Sequence, residues 1–250
     1  EEWLAGKQMV SVYVGGGTPT SLSEEQFERL MAMTEKYLPM EQSKEFTVEA
    51  GRPDSITEGK LRSMKTHGVT RISINPQSMK EHTLELLGRK HTVEEIREKF
   101  MLARTLGFDN INMDLIAGLP EETLEDFKET LREVEALKPD SITVHTLVIK
   151  RASRLRKEQL EQGGEMREED ACIEPMQKEA EQFCRVHGYE PYYMYRQKNK
   201  AHTTRNTNQE NVAYAKPGKE CLYNIFIMEE LQSILALGSG GSSKIVFPEE

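Results

Sequence analysis

Cysteine is scarce in this chain: 3 among 250 residues, at Cys172, Cys184 and Cys221. An odd number at such wide spacing excludes a disulfide framework and a clustered metal centre, and leaves ordinary reduced thiols. Positive charge is short as well. Lys and Arg total 33 against 42 Asp and Glu, for a net charge of −9, whereas a surface that binds phosphate backbones needs a basic stripe. No apolar run approaches the roughly 20 residues of a membrane span, and no signal peptide opens the chain. The expectation is a soluble, cytoplasmic protein with neither a nucleic-acid nor a membrane partner. Its length suits one large domain or a barrel-sized piece of one. It opens on Glu-Glu-Trp rather than methionine, a short way before its first clear strand, as a fragment would.

What is present alternates regularly. Strand-like runs stand at 10–14 (VSVYV), 45–49 (EFTVE), 70–74 (TRISI), 110–116 (NINMDLI) and 141–149 (SITVHTLVI). Helical patterns separate them at about 23–38, 57–66, 92–106 and 122–137, with Thr92 and Asp54-Ser55 positioned to start helices and Gly68, Gly107 and Pro139 punctuating their ends. Such βα alternation predicts a parallel sheet, and nothing marks a domain boundary through residue 150. Beyond it, residues 151–170 read as a charged connection, 168–187 as a helix and Tyr192–Tyr195 as a strand. A polar loop is expected over 197–211, a helix over Cys221–Glu230 and a strand over Ser233–Leu237.

The first strand breaks into Gly15-Gly16-Gly17 and then Thr18-Pro19-Thr20, ahead of a capping Ser23 and the acids Glu24 and Glu25. Without Cβ atoms the glycines admit positive φ and let a ligand lie against peptide groups. The loop is not a Walker loop, lacking Gly-Lys-Ser/Thr, and it lacks the Gly-x-Gly-x-x-Gly of a dinucleotide site. In βα folds ligands collect at the C-terminal ends of the strands. Glu49 closes the second run, Asn75 and Gln77 follow the third, Asp114 lies in the fourth, and Arg89 precedes the next helix. Together they suit a small zwitterion carrying a ribose: acids for the ammonium and hydroxyls, Arg for a carboxylate. Taken singly they have plainer readings, with Asp114 a satisfied core acid, Arg89 a surface charge and Gln77 a loop cap.

The set in order resembles the radical S-adenosylmethionine (SAM) enzymes of the oxygen-independent coproporphyrinogen III oxidase family, and within it the HemZ-type coproporphyrinogen dehydrogenases. The strings that carry the likeness are VYVGGGTPTSL, TVEAGRPD, RISINPQS, LLGRKHT and NINMDLIAGLP, with YYMYRQKN and NVAYAKPGKECLYNIFIMEE further on. The resemblance implies a partial (β/α) barrel over residues 1–150, continued by a family-specific C-terminal extension over 151–250. It implies that Gly16, Gly17 and Thr18 contact SAM, that Glu49, Gln77, Arg89 and Asp114 line its site, and that Val148 adds a backbone contact. In such enzymes a 4Fe-4S cluster reduces SAM to a 5′-deoxyadenosyl radical. The radical takes hydrogen from a porphyrinogen propionate, and loss of carbon dioxide leaves a vinyl group in haem biosynthesis. The implied partners are a tetrapyrrole substrate and a flavodoxin-type or ferredoxin-type electron donor.

The sequence departs from that pattern in two places. The family's cluster is held by a Cys-x-x-x-Cys-x-x-Cys loop upstream of the glycine motif, since iron–sulfur clusters need thiolates. None of the three cysteines has that spacing, so the expectation is that the first strand and its cysteine loop are missing and that this piece alone is inactive, with a degenerate, cluster-less pseudoenzyme as the alternative. The second departure is Glu121 in GLPEET, where the family usually has glycine. A basic cluster, Lys150, Arg151, Arg154, Arg156 and Lys157, reads as a solvated helix start, with attraction of propionates the sharper alternative. Tyr192, Tyr193 and Tyr195 likewise read as strand packing before macrocycle stacking. Some relatives in the family are haem chaperones with a His-Asn-x-x-Tyr motif, and this chain has no His-Asn pair.

Overall fold

The computed structural model describes residues 8–147, 173–196 and 210–247. Its strands are β1 (Ser11–Val14), β2 (Glu45–Gly51), β3 (Arg71–Gln77), β4 (Ile111–Ala117), β5 (Ser141–Thr146), β6 (Glu190–Arg196) and β7 (Glu210–Ala215). They form one sheet in the order β1-β2-β3-β4-β5-β7-β6. The first five are parallel neighbours in chain order, as βα units joined by crossover helices must be. β7 is antiparallel to both β5 and β6, an addition the sequence pattern does not announce.

The helices are α1 (Glu24–Tyr37), α2 (Glu58–Thr66), α3 (Glu81–Leu86), α4 (Val93–Thr105), α5 (Leu124–Leu137), α6 (Ile173–Val186) and α7 (Leu222–Met228). Ser23, Thr92 and Thr123 open α1, α4 and α5 with reciprocal capping boxes to Gln26, Glu95 and Asp126. Asp54 and Ser55 do not start α2. They sit in a short 3-10 turn, Pro53–Ser55, and Thr57 is the cap, because the Ser55 hydroxyl is already spent on the Arg52 carbonyl at 2.8 Å. The strand expected over Ser233–Leu237 reduces to one bridge, Ile234 to Lys244. With Leu235 and Leu237 55% and 77% exposed, it has no apolar face to bury. The 197–209 part of the expected loop, the 151–170 connection and Cys172 lie outside the described residues.

Side-chain alternation divides the sheet into two chemistries. Phe46, Val48, Ile72, Ile74, Ile111, Met113, Leu115, Ile142 and Val144 are buried under the helices with Phe27, Leu61, Phe100 and Phe127. The opposite, concave face is polar: Glu45, Thr47 and Glu49 on β2, Arg71, Ser73 and Asn75 on β3, Asn112 and Asp114 on β4, and Ser141, Thr143 and His145 on β5. Arg71 reaches over β4 to donate to Ser141 Oγ at 3.2 Å, and Ser141 and Thr143 donate to Asn112 Oδ1 at 3.0 and 3.1 Å. The sheet curls into a half-barrel around this face, and α7 touches both of its edge strands, β1 and β6.

The departure at Glu121 has a conformational cost. Glu121 follows Leu119-Pro120 with φ 62°, and its carboxylate sits 3.0 Å from His82 Nε2. A left-handed backbone costs a non-glycine residue about 1–2 kcal/mol, against about 0.5–1 kcal/mol of extra chain entropy for glycine. Glu121→Gly is therefore expected to stabilise the fold by about 0.5–1 kcal/mol. A urea unfolding midpoint below that of the parent chain would refute this.

Candidate functional site

Gly15 leaves β1 directly over Glu49. A Cβ there would stand 2.5 Å from Tyr13 Cε1 and 2.8 Å from the Glu49 carboxyl carbon, so only glycine lets the chain pass. Of the three glycines Gly16 alone takes positive φ, at 102°, which turns its N–H onto Glu49 Oε2 at 3.2 Å. The other carboxylate oxygen accepts a short hydrogen bond from Tyr13. Around Gly16 and Gly17 the space a side chain would take is open.

The loop is then fastened from below. Buried Thr20 donates to the Ala50 carbonyl and lies 2.6 Å from Ser55 Oγ. The Lys60 ammonium donates to the Thr20 and Ser55 carbonyls at 2.6 and 3.0 Å. At the far end of β2, Gly51 has φ 71° and passes so close to Thr18 that a Cβ would meet its methyl at 3.1 Å.

These elements enclose a cleft of about 250 Å³ lined by Gly16, Gly17, Thr18, Glu49, Gly51, Arg52, Asn75, Gln77 and Arg89. Irregular backbone presents the polar side chains. The β2–β3 and β3–β4 registers both shift just before the strands end, and Gln77 takes φ 70°, local strain of the kind that accompanies ligand sites. Arg89 follows Gly88, whose φ of 64° ends the α3 segment.

Charges of both signs line the cleft. Burial raises the Glu49 carboxyl, with Asp114 adding to it, against the lowering effects of Tyr13, Gly16 and Arg71. Arg52 is bidentate to Asp54, with Nε 3.0 Å from Oδ1, and that pairing holds the Asp54 carboxyl low. Arg89 forms no ion pair with a described acid, and burial and then Arg52 disfavour its charge, with Asp54 opposing them. Asn75 Oδ1 is buried without a partner among the described residues. An acid, two guanidinium groups and two amides around a glycine cradle suit a small ligand with an ammonium and a carboxylate at one end.

Seven sequence-derived candidates thus come together: Gly16, Gly17, Thr18, Glu49, Asn75, Gln77 and Arg89. Asp114 does not line the cleft. It lies further along the concave face, accepting from Asn112 Nδ2 at 2.6 Å and 3.7 Å from His145 Nε2. Val148 and the basic cluster at 150–157 lie outside the described residues. Arg52 escaped sequence reasoning although it stands in TVEAGRPD, three positions after Glu49 at a strand end. Tyr192 and Tyr193 are half-buried and Tyr195 is 46% exposed on β6.

The chain matches the Radical SAM superfamily over residues 2–134. It is 46% identical over 248 residues to the oxygen-independent coproporphyrinogen-III oxidase-like protein HemZ of Bacillus subtilis, covering 98% of this chain and 48% of that one. It is 39% identical over 140 residues to the heme chaperone HemW of the same organism, covering 56% of this chain and 37% of that one. The solved structure of coproporphyrinogen III oxidase (HemN) from Escherichia coli, a radical SAM enzyme, superimposes with a TM-score of 0.71 at 24% identity, over 94% of this chain and 52% of that one. The chain spans 37–52% of the length of these relatives.

Proposed function

Since the chain belongs to the radical SAM superfamily, we propose that its cleft binds S-adenosylmethionine, and that it forms part of an oxygen-independent coproporphyrinogen dehydrogenase. The observation that carries the reading is that Glu49 and an Arg89 in no ion pair with a described acid line one cleft with the glycine cradle. When bound, SAM supplies a sulfonium carbon–sulfur bond open to reductive cleavage. The protein's own part is positioning. Glu49 takes the ammonium, Arg89 the carboxylate, and Asn75 and Gln77 offer amides to the hydroxyls. The glycine loop brings peptide groups to the ligand.

The described residues fit SAM and do not fit an iron–sulfur cluster. Cys184 is buried on α6 with its thiol pushed up to about 12 by desolvation. Cys221 is buried before α7 with its thiol pushed up to about 11, chiefly by burial. A cluster takes thiolates, and no step through one is drawn from these residues.

Haem chaperoning is the second reading, favoured by the HemW likeness. The HemZ likeness extends over nearly the whole chain at higher identity, and the absent His-Asn pair also favours the dehydrogenase.

Equilibrium dialysis tests the cofactor. SAM is expected to bind, and 5′-methylthioadenosine, which lacks the aminoacyl zwitterion, to bind at least about tenfold more weakly, since charge-assisted contacts contribute about 1.5–3 kcal/mol. Equal affinities, or no SAM binding, would overturn it. Anaerobic conversion of coproporphyrinogen by the longer protein supports the dehydrogenase, and stoichiometric haem uptake without turnover the chaperone.

A further inference from the structure

Glu49 is held in place by a residue of β1 and, through it, by a helix near the other end of the chain. Tyr13 Oη donates to Glu49 Oε1. The Tyr13 ring is stacked on Tyr223 with centroids 4.2 Å apart and planes inclined by 20°. Tyr223 lies in the first turn of α7, where its N–H and that of Leu222 donate to the Glu45 carboxylate at 3.2 and 2.8 Å. Glu45 opens β2, the strand that carries Glu49. A closed circuit therefore runs from β2 through α7 and β1 and back to β2.

We infer that Tyr13 is a positioning residue for Glu49, braced by Tyr223, so that α7 sets the orientation and charge of the carboxylate that faces the ligand's ammonium. This rests on the SAM reading for its consequence and not for its geometry. With both oxygens engaged, by Tyr13 and by the Gly16 N–H, Glu49 cannot swing out of the cleft. Burial and the neighbouring Glu49 push the Tyr13 hydroxyl far up, so it remains a protonated donor throughout the working range. A hydroxyl that donates to a carboxylate favours its charged form. That opposes the burial that would otherwise neutralise Glu49. The other described groups facing Glu49 are Arg71 on β3, Asp114 on β4, His145 on β5 and Tyr223 itself, with Arg52 and Arg89 lining the same cleft.

Two substitutions separate the hydroxyl from the ring. Tyr13→Phe keeps the stack and removes the donor, and Tyr223→Leu keeps the donor and removes the brace. The titration of Glu49 is read from carbon-13 carboxyl shifts in glutamate-labelled protein, its resonance identified by its absence in Glu49→Gln. In Tyr13→Phe the midpoint is expected to rise by about one pH unit, as loss of one hydrogen bond to a charged group implies. In Tyr223→Leu it should rise by less, with SAM affinity falling severalfold in both variants. An unchanged midpoint in Tyr13→Phe overturns the inference whatever its melting temperature, since a merely structural tyrosine alters stability alone. If the parent chain binds no SAM the cofactor reading fails, and the Glu49 midpoint still decides the role of Tyr13.

Discussion

Glu49→Gln is expected to weaken SAM binding about 10- to 100-fold at neutral pH, the equivalent of roughly 1.5–3 kcal/mol for a hydrogen bond to a charged group. The isosteric amide keeps an oxygen to accept from Tyr13, so what is lost is charge and the exposed bond from the Gly16 N–H. The fold should not suffer. Burial is the leading reason that the Glu49 carboxyl is raised, which means that the folded chain holds this charge at a cost at neutral pH. An amide removes the cost, and the melting temperature of Glu49→Gln should equal or exceed that of the parent.

The same substitution separates two pH profiles. Because the Glu49 carboxyl is raised, its carboxylate is lost at a higher pH than in an exposed glutamate, and SAM affinity should fall as the pH drops through that midpoint. Glu49→Gln should bind weakly and without this dependence. Isothermal titration of both proteins from pH 5 to 8 checks it, and equal affinity at pH 8 would remove Glu49 from the ammonium site.

Much of this arrangement is legible in the sequence, for reasons specific to each element. The five parallel strands show because their helix-facing residues are almost all Val, Ile, Phe, Met or Leu, with polar residues between them, and because serine and threonine caps open the helices. The glycine run shows because a strand that ends in three glycines has few other uses. α3 does not show, since 6 residues are too few for an apolar period to emerge. β7 is hidden by Ala213 and Ala215, which are fully buried yet carry little strand preference. Arg52 and the withdrawn position of Asp114 depend on where β2 and β4 end relative to their neighbours, and the shifted registers decide that. Glycine at position 121 would be read from the turn; Glu121 conceals it.

The largest effect on stability is expected at Arg71, which has no part in the cleft. It is 4% exposed, at the start of β3. Burial works against its charge, and Cys221, Tyr192, Glu45 and Tyr13 are the groups set against that. The thiol and the phenols are themselves pushed up by burial, to about 11 for Cys221 and about 12 for Tyr192, so at neutral pH they are uncharged. The carboxyl groups that feel the guanidinium are those of Glu45, Glu49 and Asp114, none of them in an ion pair with it among the described residues. Glu45 in turn is 5% exposed and caps α7. Arg71→Met therefore removes the buried cation that offsets these carboxyl groups, together with its hydrogen bond to Ser141, a change that costs about 3–5 kcal/mol. For a chain of this size that amounts to a melting temperature lower by roughly 6–20 °C. Adding Glu45→Gln should restore part of the loss, because one of the uncompensated carboxyl groups goes with it. A double variant as unstable as the sum of the singles, or a single variant that loses less than about 1 kcal/mol, would mean that the pair is not coupled. Restoration would show the floor of the half-barrel to be an electrostatic clasp between β2, β3 and α7, the same helix that braces Tyr13 against Glu49.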